Sequence, residues 1–327
     1  MSKTPVQVQT IRGPVALDDL GFTLAHEHLT VGSPAMERIP AIYREDEAYP
    51  AVIEALRRAH ASGVRSLIDL TPMDLGRQVR LFERVAEADT GVHIVCATGI
   101  YRWVPAAWMG RDPDDIAEFL VGEIAEGIEG TSLRAGIIKL AWDMEYRLDE
   151  GPLSPRKNLE RAARGAARAA KATGVPISCH TLALDELGTP LLDLFEEEGL
   201  DLAAVTIGHS NDTTDVAYLK RIADRGANLG FDRYGGILRD DEENERRAGL
   251  AKTLADAGYA GQVSLGHDGS PYHRFAGLRP INVDCWTQVP NHQLPWLCAN
   301  GVAEEHIEAM TQGAVRRTFA AAAALRS

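Results

Sequence analysis

The sequence has little cysteine, no long apolar run and no excess of positive charge. Its four cysteines are too few and too scattered for a disulfide framework and are expected to be small buried residues. No apolar run approaches the roughly 20 residues that span a bilayer, and residues 1–9 lack the features of a signal peptide, so a cytoplasmic protein without membrane partners is expected. A net charge of −13 argues against nucleic acid as a partner.

Apolar segments of β type alternate with helical segments along the whole chain. Continuous Val, Ile, Leu and Ala predominate in them, as in parallel strands that are covered on both faces. No linker divides the chain, so we predict one domain over residues 1–327, a (β/α)8 TIM barrel at 21–327 after a lead-in at 1–20. An open doubly wound sheet is the alternative, but no Gly-x-Gly-x-x-Gly follows the first run. The predicted strands are residues 22–25, 65–70, 93–98, 135–140, 176–179, 203–207, 227–231 and 262–266.

Helical periodicity with recognisable ends lies between the predicted strands. Pro50 is predicted to open the first helix, and Ser154 to cap another that Gly174 stops. Asp212 or a neighbouring threonine is predicted to cap a further helix. The predicted helices are residues 51–61, 158–173, 216–224, 242–257 and 304–325.

Metal-ligating residue types lie where the predicted strands end, which is where the active site of a parallel barrel is built. Residues i and i+2 of a strand share a face, so His26 and His28 can point at one ion, the alternative being two satisfied or exposed histidines. The other residues of this kind lie in or just after the fourth, fifth, sixth and eighth runs, and are Lys139, His180, His209 and Asp268.

Four imidazoles and one carboxylate suit zinc, cobalt, manganese or iron better than calcium or magnesium. These five ligands exceed what a single ion needs. A second ion would in turn need an anion that bridges it to the first. Lys139 lies inside an apolar run, where burial favours a neutral amine that can add carbon dioxide and become a carbamate with two oxygen ligands. The alternative is a lysine paired with a carboxylate from elsewhere in the chain.

Six ordered motifs resemble the phosphotriesterase-like branch of the amidohydrolase superfamily, and the resemblance covers essentially the whole chain. Leu70-Thr71-Pro72 and Leu75-Gly76-Arg77, after the second run, also resemble it. The six motifs are His26-Glu27-His28, Ile138-Lys139, Cys179-His180-Thr181, Gly208-His209, Phe231-Asp232-Arg233-Tyr234-Gly235 and Gly266-His267-Asp268.

The resemblance implies a binuclear centre, with zinc first among the candidate metals. A carboxylated Lys139 and a hydroxide would bridge the ions, and Asp268 would take the proton that is released when the hydroxide attacks. A homodimer is also implied. The ligands would be His26, His28 and Asp268 for the more buried ion, and His180 and His209 for the more exposed one.

The same resemblance bears on the substrate. Phosphotriesterases of this kind have tryptophan after the third strand and histidine after the seventh, whereas lactonase-like members have tyrosine and arginine, as Tyr101 and Arg233 are here. A lactonase for N-acyl homoserine lactones, that is, a quorum-quenching enzyme, is therefore implied, with phosphotriesters or aryl esters as the alternative substrates. Tyr101 could instead be a rim aromatic, and Arg233 the salt-bridge partner of Asp232. An alternative hypothesis from a different functional class is a non-catalytic barrel that binds a small apolar ligand.

Two stretches depart from the family pattern. Residues 269–290 match no assignable specificity loop, so they leave the size of the substrate open. Residues 310–314 stand where many relatives have Asn-Pro, which is expected to change only a helix boundary. The residues in the first stretch that draw notice are Tyr272, His273, Arg274, Phe275 and Trp286.

Five further residues near the motifs receive structural predictions. Glu27 and His267 alternate with metal-ligand candidates along their strands, so both are predicted to face away from the metals. Trp103, Trp108 and Trp286 are candidate lid aromatics, although aromatic residues near a barrel rim are more often packing.

Overall fold

The computed structural model describes residues 5–102, 104–235, 240–274 and 279–326. Within these ranges the chain forms a barrel of parallel strands flanked by helices, with a hairpin before it and a small two-stranded sheet above it. The strands are β1 (Gln7–Thr10), β2 (Gly13–Ala16), β3 (Thr23–Glu27), β4 (Thr30–Val31), β5 (Ser66–Asp69), β6 (His93–Gly99), β7 (Ile137–Trp142), β8 (Ile177–Thr181), β9 (Val205–Gly208), β10 (Asn228–Phe231), β11 (Val263–Leu265) and β12 (Tyr272–His273).

Eight of these strands form one parallel sheet in the order β11, β10, β9, β8, β7, β6, β5, β3. Main-chain hydrogen bonds join the two end strands of this sheet, β3 and β11, near their carboxyl ends. The amide of Asp268 donates to the carbonyl of His26 at 3.0 Å, and the amide of His28 donates to that of Gly269 at 2.9 Å. The predicted (β/α)8 barrel is confirmed, because every predicted apolar run overlaps one of its strands.

Helices cover the outside of the sheet with their apolar faces. Two π-helical segments, Val289–Gln293 and Ala309–Gly313, precede the eighth and tenth helices. In the part of the chain that the structure describes, no helix has the length and apolar character needed to cross a bilayer. The helices are α1 (Glu45–Ala61), α2 (Val79–Glu87), α3 (Pro113–Ala125), α4 (Pro155–Thr173), α5 (Gly188–Glu197), α6 (Val216–Asp224), α7 (Asp241–Asp256), α8 (Leu294–Ala299), α9 (Glu304–Glu308) and α10 (Ala314–Ala324).

One predicted helix start and one predicted helix cap are wrong. Helix α1 begins at Glu45, and Pro50 lies inside it instead of opening it; the acidic residues of its first turn suit the positive end of the helix dipole. Helix α6 is capped by Asp215, whose Oδ1 accepts from the amide of Tyr218 at 3.0 Å. The predicted cap was Asp212 or a neighbouring threonine, but no threonine caps the helix and Asp212 instead accepts from Arg247 at 3.0 Å.

The other helix ends follow the prediction closely. Ser154 caps α4 by accepting from the amide of Lys157 at 3.3 Å, and Gly174 ends the helix with a φ of 71°. Residues 304–325 form α9, a π-helical turn at Ala309–Gly313 and α10 in succession, so the single predicted helix is interrupted.

The lower end of the barrel is closed by the segment before β3. Val8, Leu17 and Leu20 pack against Ile68 and Val95, which lie on barrel strands. This packing keeps water from the bottom of the barrel and leaves the opposite end, where the strands finish, as its open end.

Of the four cysteines, Cys96, Cys179 and Cys285 are buried as predicted. The prediction is wrong for Cys298, which is exposed in the last turn of α8.

Strands β4 and β12 pair in parallel above the open end, with Thr30 opposite Tyr272 and Val31 opposite His273. This short sheet ties the loop after β11 to the loop after β3. It therefore holds part of the unassigned 269–290 stretch against the mouth of the barrel.

Candidate metal centre

A cavity of about 240 Å³ lies at the carboxyl ends of the barrel strands. Every residue that the sequence singles out for metal binding or catalysis lines it, so the fold brings together side chains from seven of the eight barrel strands and the residues that follow them. Val31, Leu75, His273 and Arg279 line it as well. The predicted residues are His26, His28, Tyr101, Lys139, His180, His209, Arg233 and Asp268.

His26, His28 and Asp268 form one group that could hold a metal ion. Asp268 Oδ1 lies 3.0 Å from His28 Nε2 and 3.5 Å from His26 Nε2. This trio is the set predicted for the more buried ion, and its three donor atoms converge on one side of the cavity.

His180 and His209 form a second group. His180 Nδ1 and His209 Nε2 face each other at 2.6 Å, and the two rings meet edge to face with centroids 4.4 Å apart. His209 is in the left-handed region, with a φ of 59°, so the chain turns sharply where it presents this ring. Two imidazole nitrogens that point at one spot suit a shared cation.

Lys139 lies between the two groups at the centre of β7. Its side chain is almost fully buried, with 1% of the residue exposed, and Nζ lies 3.2 Å from His26 Nε2. Burial lowers the pKa of Lys139, while the charges of Asp268 and Asp232 oppose that shift. Over the described residues, no carboxylate lies within ion-pair distance of Nζ, so the alternative of a paired ammonium finds no partner there.

Burial also lowers the pKa of the ligand candidates His26, His180 and His209, and that of His26 falls to about 4. For His26 and His180 the Lys139 charge acts in the same direction as burial, and for His209 the Arg233 charge does. Neutral imidazole is the form that binds a metal, so this environment prepares the three rings as ligands.

Asp232 is a functional residue to which the sequence reasoning gave no metal-site role. Its Oδ2 accepts from His26 Nδ1 at 2.6 Å, and its Oδ1 accepts from His209 Nδ1 at 2.8 Å and from the His209 amide at 2.9 Å. With Nδ1–H given to the carboxylate, each ring presents Nε2 to the cavity. Its position directly after a strand was the signal that could have indicated this role.

The two remaining rings have partners of the same kind. Thr71 Oγ1 lies 2.8 Å from His28 Nδ1, which leaves Nε2 to face the cavity. Asp143 Oδ2 lies 2.8 Å from His180 Nε2, so His180 presents Nδ1 instead. Burial alone would raise the pKa of Asp143, but the His180 hydrogen bond and the Arg102 charge lower it to about 2, which keeps this carboxylate an acceptor.

Tyr101 and Arg233 stand beside the metal-ligand candidates. The Tyr101 ring meets that of His180 edge to face at 5.5 Å, and its amide donates to both carboxylate oxygens of Asp74. Arg233 Nε lies 3.4 Å from Asp268 Oδ2 and 3.7 Å from Asp212 Oδ2. The alternative role of Arg233 as the ion-pair partner of Asp232 is not what the structure contains, because the Asp232 carboxylate is engaged by the two histidines.

Glu27 and His267 face away from the cavity, as predicted. Glu27 Oε1 accepts from the amide and from Nδ1 of His267 at 2.8 and 2.6 Å, and its Oε2 accepts from the Gly269 amide at 3.1 Å. His267 Nε2 accepts in turn from the Val289 amide at 2.9 Å. These contacts clamp the backbone on both sides of Asp268, which has a φ of 51°.

The candidate lid aromatics have packing roles where they are described. Trp286 is fully buried and donates from Nε1 to the carbonyl of Gly269 at 3.1 Å. Trp108 packs on Phe119 with ring centroids 4.8 Å apart. Trp103 and Phe275 lie outside the described residues.

The fold and the cavity place this protein among the parallel (β/α)8 barrels that have a candidate metal site, built from histidines, at the strand ends. The model of the phosphotriesterase family matches residues 6–319, and the chain belongs to this family. Family membership and the hydrolase names of several relatives support a hydrolase.

Three relatives illustrate the range of names in the family. A protein of Saccharolobus solfataricus named aryldialkylphosphatase is 37% identical over 303 residues, which cover 88% of this chain and 91% of the relative. A "phosphotriesterase homology protein" of Mycobacterium tuberculosis is 34% identical and covers 96% of this chain and 97% of its own. An N-acetyltaurine hydrolase of Rattus norvegicus is 26% identical, with 94% of this chain and 96% of the relative covered.

Proposed function

We propose that the chain is a metal-dependent hydrolase that opens lactones, with N-acyl homoserine lactones as the principal substrates. The observation that carries the proposal is that one cavity is lined by all eight residues predicted from the sequence to bind metal or to act in catalysis. Membership of the phosphotriesterase family supports hydrolysis. Tyr101 and Arg233 beside the ligand candidates support a lactone as the substrate.

We further propose that two divalent ions bind in this cavity, zinc first, with cobalt, manganese or iron as the other candidates. Lys139, as a carbamate, would serve both ions. Support comes from the burial of all four imidazoles, which lowers the pKa of His26, His180 and His209, and from the hydrogen bonds that turn a free nitrogen of each ring inward. When bound, the ions would lower the pKa of water between them and polarise the substrate carbonyl. The ligands would be His26, His28 and Asp268 for one ion, and His180 and His209 for the other.

Asp268 would accept the proton that the attacking water gives up. Burial alone would raise the pKa of Asp268, but the Arg233 charge and the His28 hydrogen bond hold it well below its ordinary value. The carboxylate therefore starts the reaction ionised. Its side chain keeps 20% of its surface exposed, so a proton taken from the substrate side can leave to solvent.

Tyr101 and Arg233 would steady the substrate oxygens. Burial raises the pKa of Tyr101, so its phenol stays protonated and can donate a hydrogen bond. The Arg233 guanidinium is held beside the ligand candidates by Asp268 and Asp212. Donors fixed in a cavity stabilise the charge that develops on a lactone carbonyl and its leaving oxygen as the ring opens.

The test of the substrate is a comparison of kcat/KM for an N-acyl homoserine lactone and an aryl dialkyl phosphotriester with the same metal-replete protein. We expect the lactone to be preferred. A preference of about tenfold or more for the triester would instead establish phosphotriester hydrolysis, the second candidate, which the 37% identity to a protein named aryldialkylphosphatase favours.

A non-catalytic barrel that only binds a small ligand is the candidate from another class. Asp268 discriminates, because a binding protein has no need for a carboxylate that moves a proton. Asp268→Asn should keep the fold and part of the metal while losing at least about 100-fold in kcat. Unchanged lactone hydrolysis in this variant would contradict the proposed role of Asp268.

We also propose a cytoplasmic homodimer, as the sequence resemblance implied. A sedimentation run at micromolar protein checks the oligomeric state. A dimer is expected, and a monomer would contradict this part of the proposal.

A further inference from the structure

The cavity contains a positive side chain that metal binding and catalysis as proposed leave unused. Arg279, from the unassigned 269–290 stretch, lines the cavity together with the metal-ligand candidates and is half-buried. No carboxylate among the described residues lies within ion-pair distance of its guanidinium. Arg233, in contrast, has Asp268 and Asp212 as partners. A half-buried guanidinium without a counter-charge has lost part of its hydration and gained no ion pair for it.

His273 lines the same cavity and also has unused hydrogen-bonding capacity. Its Nδ1 is buried and, within the described part of the chain, has no hydrogen-bond partner. The pairing of β12 with β4 places the His273 backbone next to Val31, another residue of the cavity wall. An imidazole nitrogen held in this way is a ready donor or acceptor for a ligand.

The two side chains are tied together through their main chain. The amide of Arg279 donates to the carbonyl of His273 at 3.3 Å. Arg274 Nη1 donates to both carbonyls, to that of His273 at 3.0 Å and to that of Arg279 at 2.8 Å. The Arg274 guanidinium also lies 3.7 Å from the centroid of the Tyr272 ring, which fixes its position. Arg279 and His273 thus come from one braced turn, and not from independent loops.

We propose that Arg279 and His273 form an anion subsite of the catalytic cavity, so that the preferred substrate carries a carboxylate in addition to the bond that is hydrolysed. The inference rests on the proposed lactonase function and narrows its substrate class. A guanidinium fork binds a carboxylate through two parallel hydrogen bonds, and His273 can supply a third.

A matched pair of lactones tests the subsite. N-succinyl homoserine lactone ends in a carboxylate, and N-pentanoyl homoserine lactone has a neutral acyl chain of similar length. The metal-replete wild-type protein should favour the succinyl compound in kcat/KM by about tenfold or more, mainly through a lower KM, because the additional contact is made in the ground state as well. The advantage should shrink as the salt concentration rises.

Variants separate a specific contact from a general charge effect. Arg279→Met should lower kcat/KM for the succinyl compound by about tenfold more than for the pentanoyl compound, which abolishes the preference, and Arg279→Lys should retain part of the preference. Arg57→Met is the matched control, because Arg57 is exposed on α1 and does not line the cavity. It removes the same charge and should leave the preference intact. A wild-type preference for the pentanoyl compound, or equal losses on both compounds in Arg279→Met, would overturn the subsite.

Equilibrium binding of the corresponding lactams, which are not opened, distinguishes the failure of this inference from that of the proposed function. If neither lactone is hydrolysed, the proposed function fails. The subsite is still supported if the succinyl lactam binds about tenfold tighter than the pentanoyl lactam and Arg279→Met removes the difference. Equal binding of the two lactams to the wild-type protein would overturn the subsite whatever the turnover.

Discussion

Asp232 orients one histidine from each of the two candidate ligand groups. One of its carboxylate oxygens holds the His26 ring and the other holds the His209 ring, and the residue is 2% exposed. A single buried carboxylate therefore orients both rings and sets the tautomer that each presents to the cavity. At the residue scale, the site is organised by acceptors behind the ligand candidates as much as by those candidates themselves.

Glu27 makes a testable contribution behind Asp268. Glu27→Gln puts an amide in place of a carboxylate that accepts from His267 and Gly269, so at least one buried donor loses its partner. We expect the free energy of unfolding to fall by about 1–3 kcal/mol. We also expect kcat to fall by about tenfold with little change in KM, because the backbone that presents Asp268 is released.

Chemical denaturation and steady-state kinetics measure both effects. Glu126→Gln is the control, because it makes the same change from carboxylate to amide at an exposed position. It should change neither quantity. Unaltered kinetics in Glu27→Gln would show that the clamp around Asp268 plays no part in catalysis.

The sequence could predict the metal-ligand candidates that line the cavity but not the residues that orient them. His26, His28 and Asp268 were predictable because strand alternation and strand ends determine which way a side chain points. The partners of these rings depend on contacts across the barrel, and Asp232 is 206 residues from His26 along the chain. Asp143 and Thr71 were missed for the same reason, since local patterns carry no record of such pairs.

At the scale of elements, the packing of β6 against β7 determines where Lys139 lies. Gly99 ends β6 with a φ of 136°, and a Cβ placed there would lie 1.9 Å from the Lys139 carbonyl oxygen. Gly99→Ala must therefore push β7 away as well as strain its own backbone. We expect the free energy of unfolding to fall by about 3 kcal/mol or more, with loss of metal and activity.

A second glycine provides the matched control. Gly122 lies inside α3 at ordinary helical φ, and a Cβ there would meet nothing within 4 Å. Gly122→Ala should therefore raise the free energy of unfolding by about 0.5–1 kcal/mol. Urea unfolding of the two variants checks the pair. If Gly99→Ala and Gly122→Ala changed the free energy of unfolding equally and in the same direction, the close approach of β6 and β7 would be contradicted.

Most elements were predictable from periodicity, whereas some of their ends were not. Ser154 and Gly174 were recognised because cap residues act through their immediate neighbours. The start of α1 was misplaced because proline is common in a first helical turn, yet Pro50 follows an earlier acidic turn. The π-helical turn in residues 309–313 depends on how this segment packs under the barrel, which no local signal in Met310 to Ala314 reveals.

At the scale of the whole molecule, the alternation of strands and helices sufficed to predict the barrel. The course of residues 269–290 could not be predicted, because the pairing of β12 with β4 joins segments that are far apart in the sequence. That pairing brings Arg279 and His273 to the cavity. The proposed anion subsite therefore lies in the part of the site that the sequence left open.

Buried histidines make the stability of the metal-free protein depend on pH. Burial lowers the pKa of His26 to about 4 and that of His267 to about 3, from an ordinary value of 6.5. The unfolded chain binds protons on these rings at a higher pH than the folded chain does, so the free energy of unfolding should fall as pH drops from about 6.5 toward 4.

Urea unfolding of chelator-treated protein at several pH values between 7.5 and 4.5 measures this dependence. His267→Gln removes one of the titrating groups and should reduce the slope. A metal-free protein that became more stable as the pH fell would contradict the assignment of neutral, buried imidazoles.

The metal content of replete protein, read together with the state of Lys139, tests the central claim most directly. We expect two divalent ions per chain and electron density for a carbamate on Lys139 that contacts both. Lys139→Ala should lose metal and activity together, acetate or propionate should restore part of both, and Lys139→Glu should retain two ions because it supplies an anion of similar reach. One ion per chain in the replete wild-type protein, or an unmodified Lys139 ammonium paired with a carboxylate, would contradict the binuclear centre.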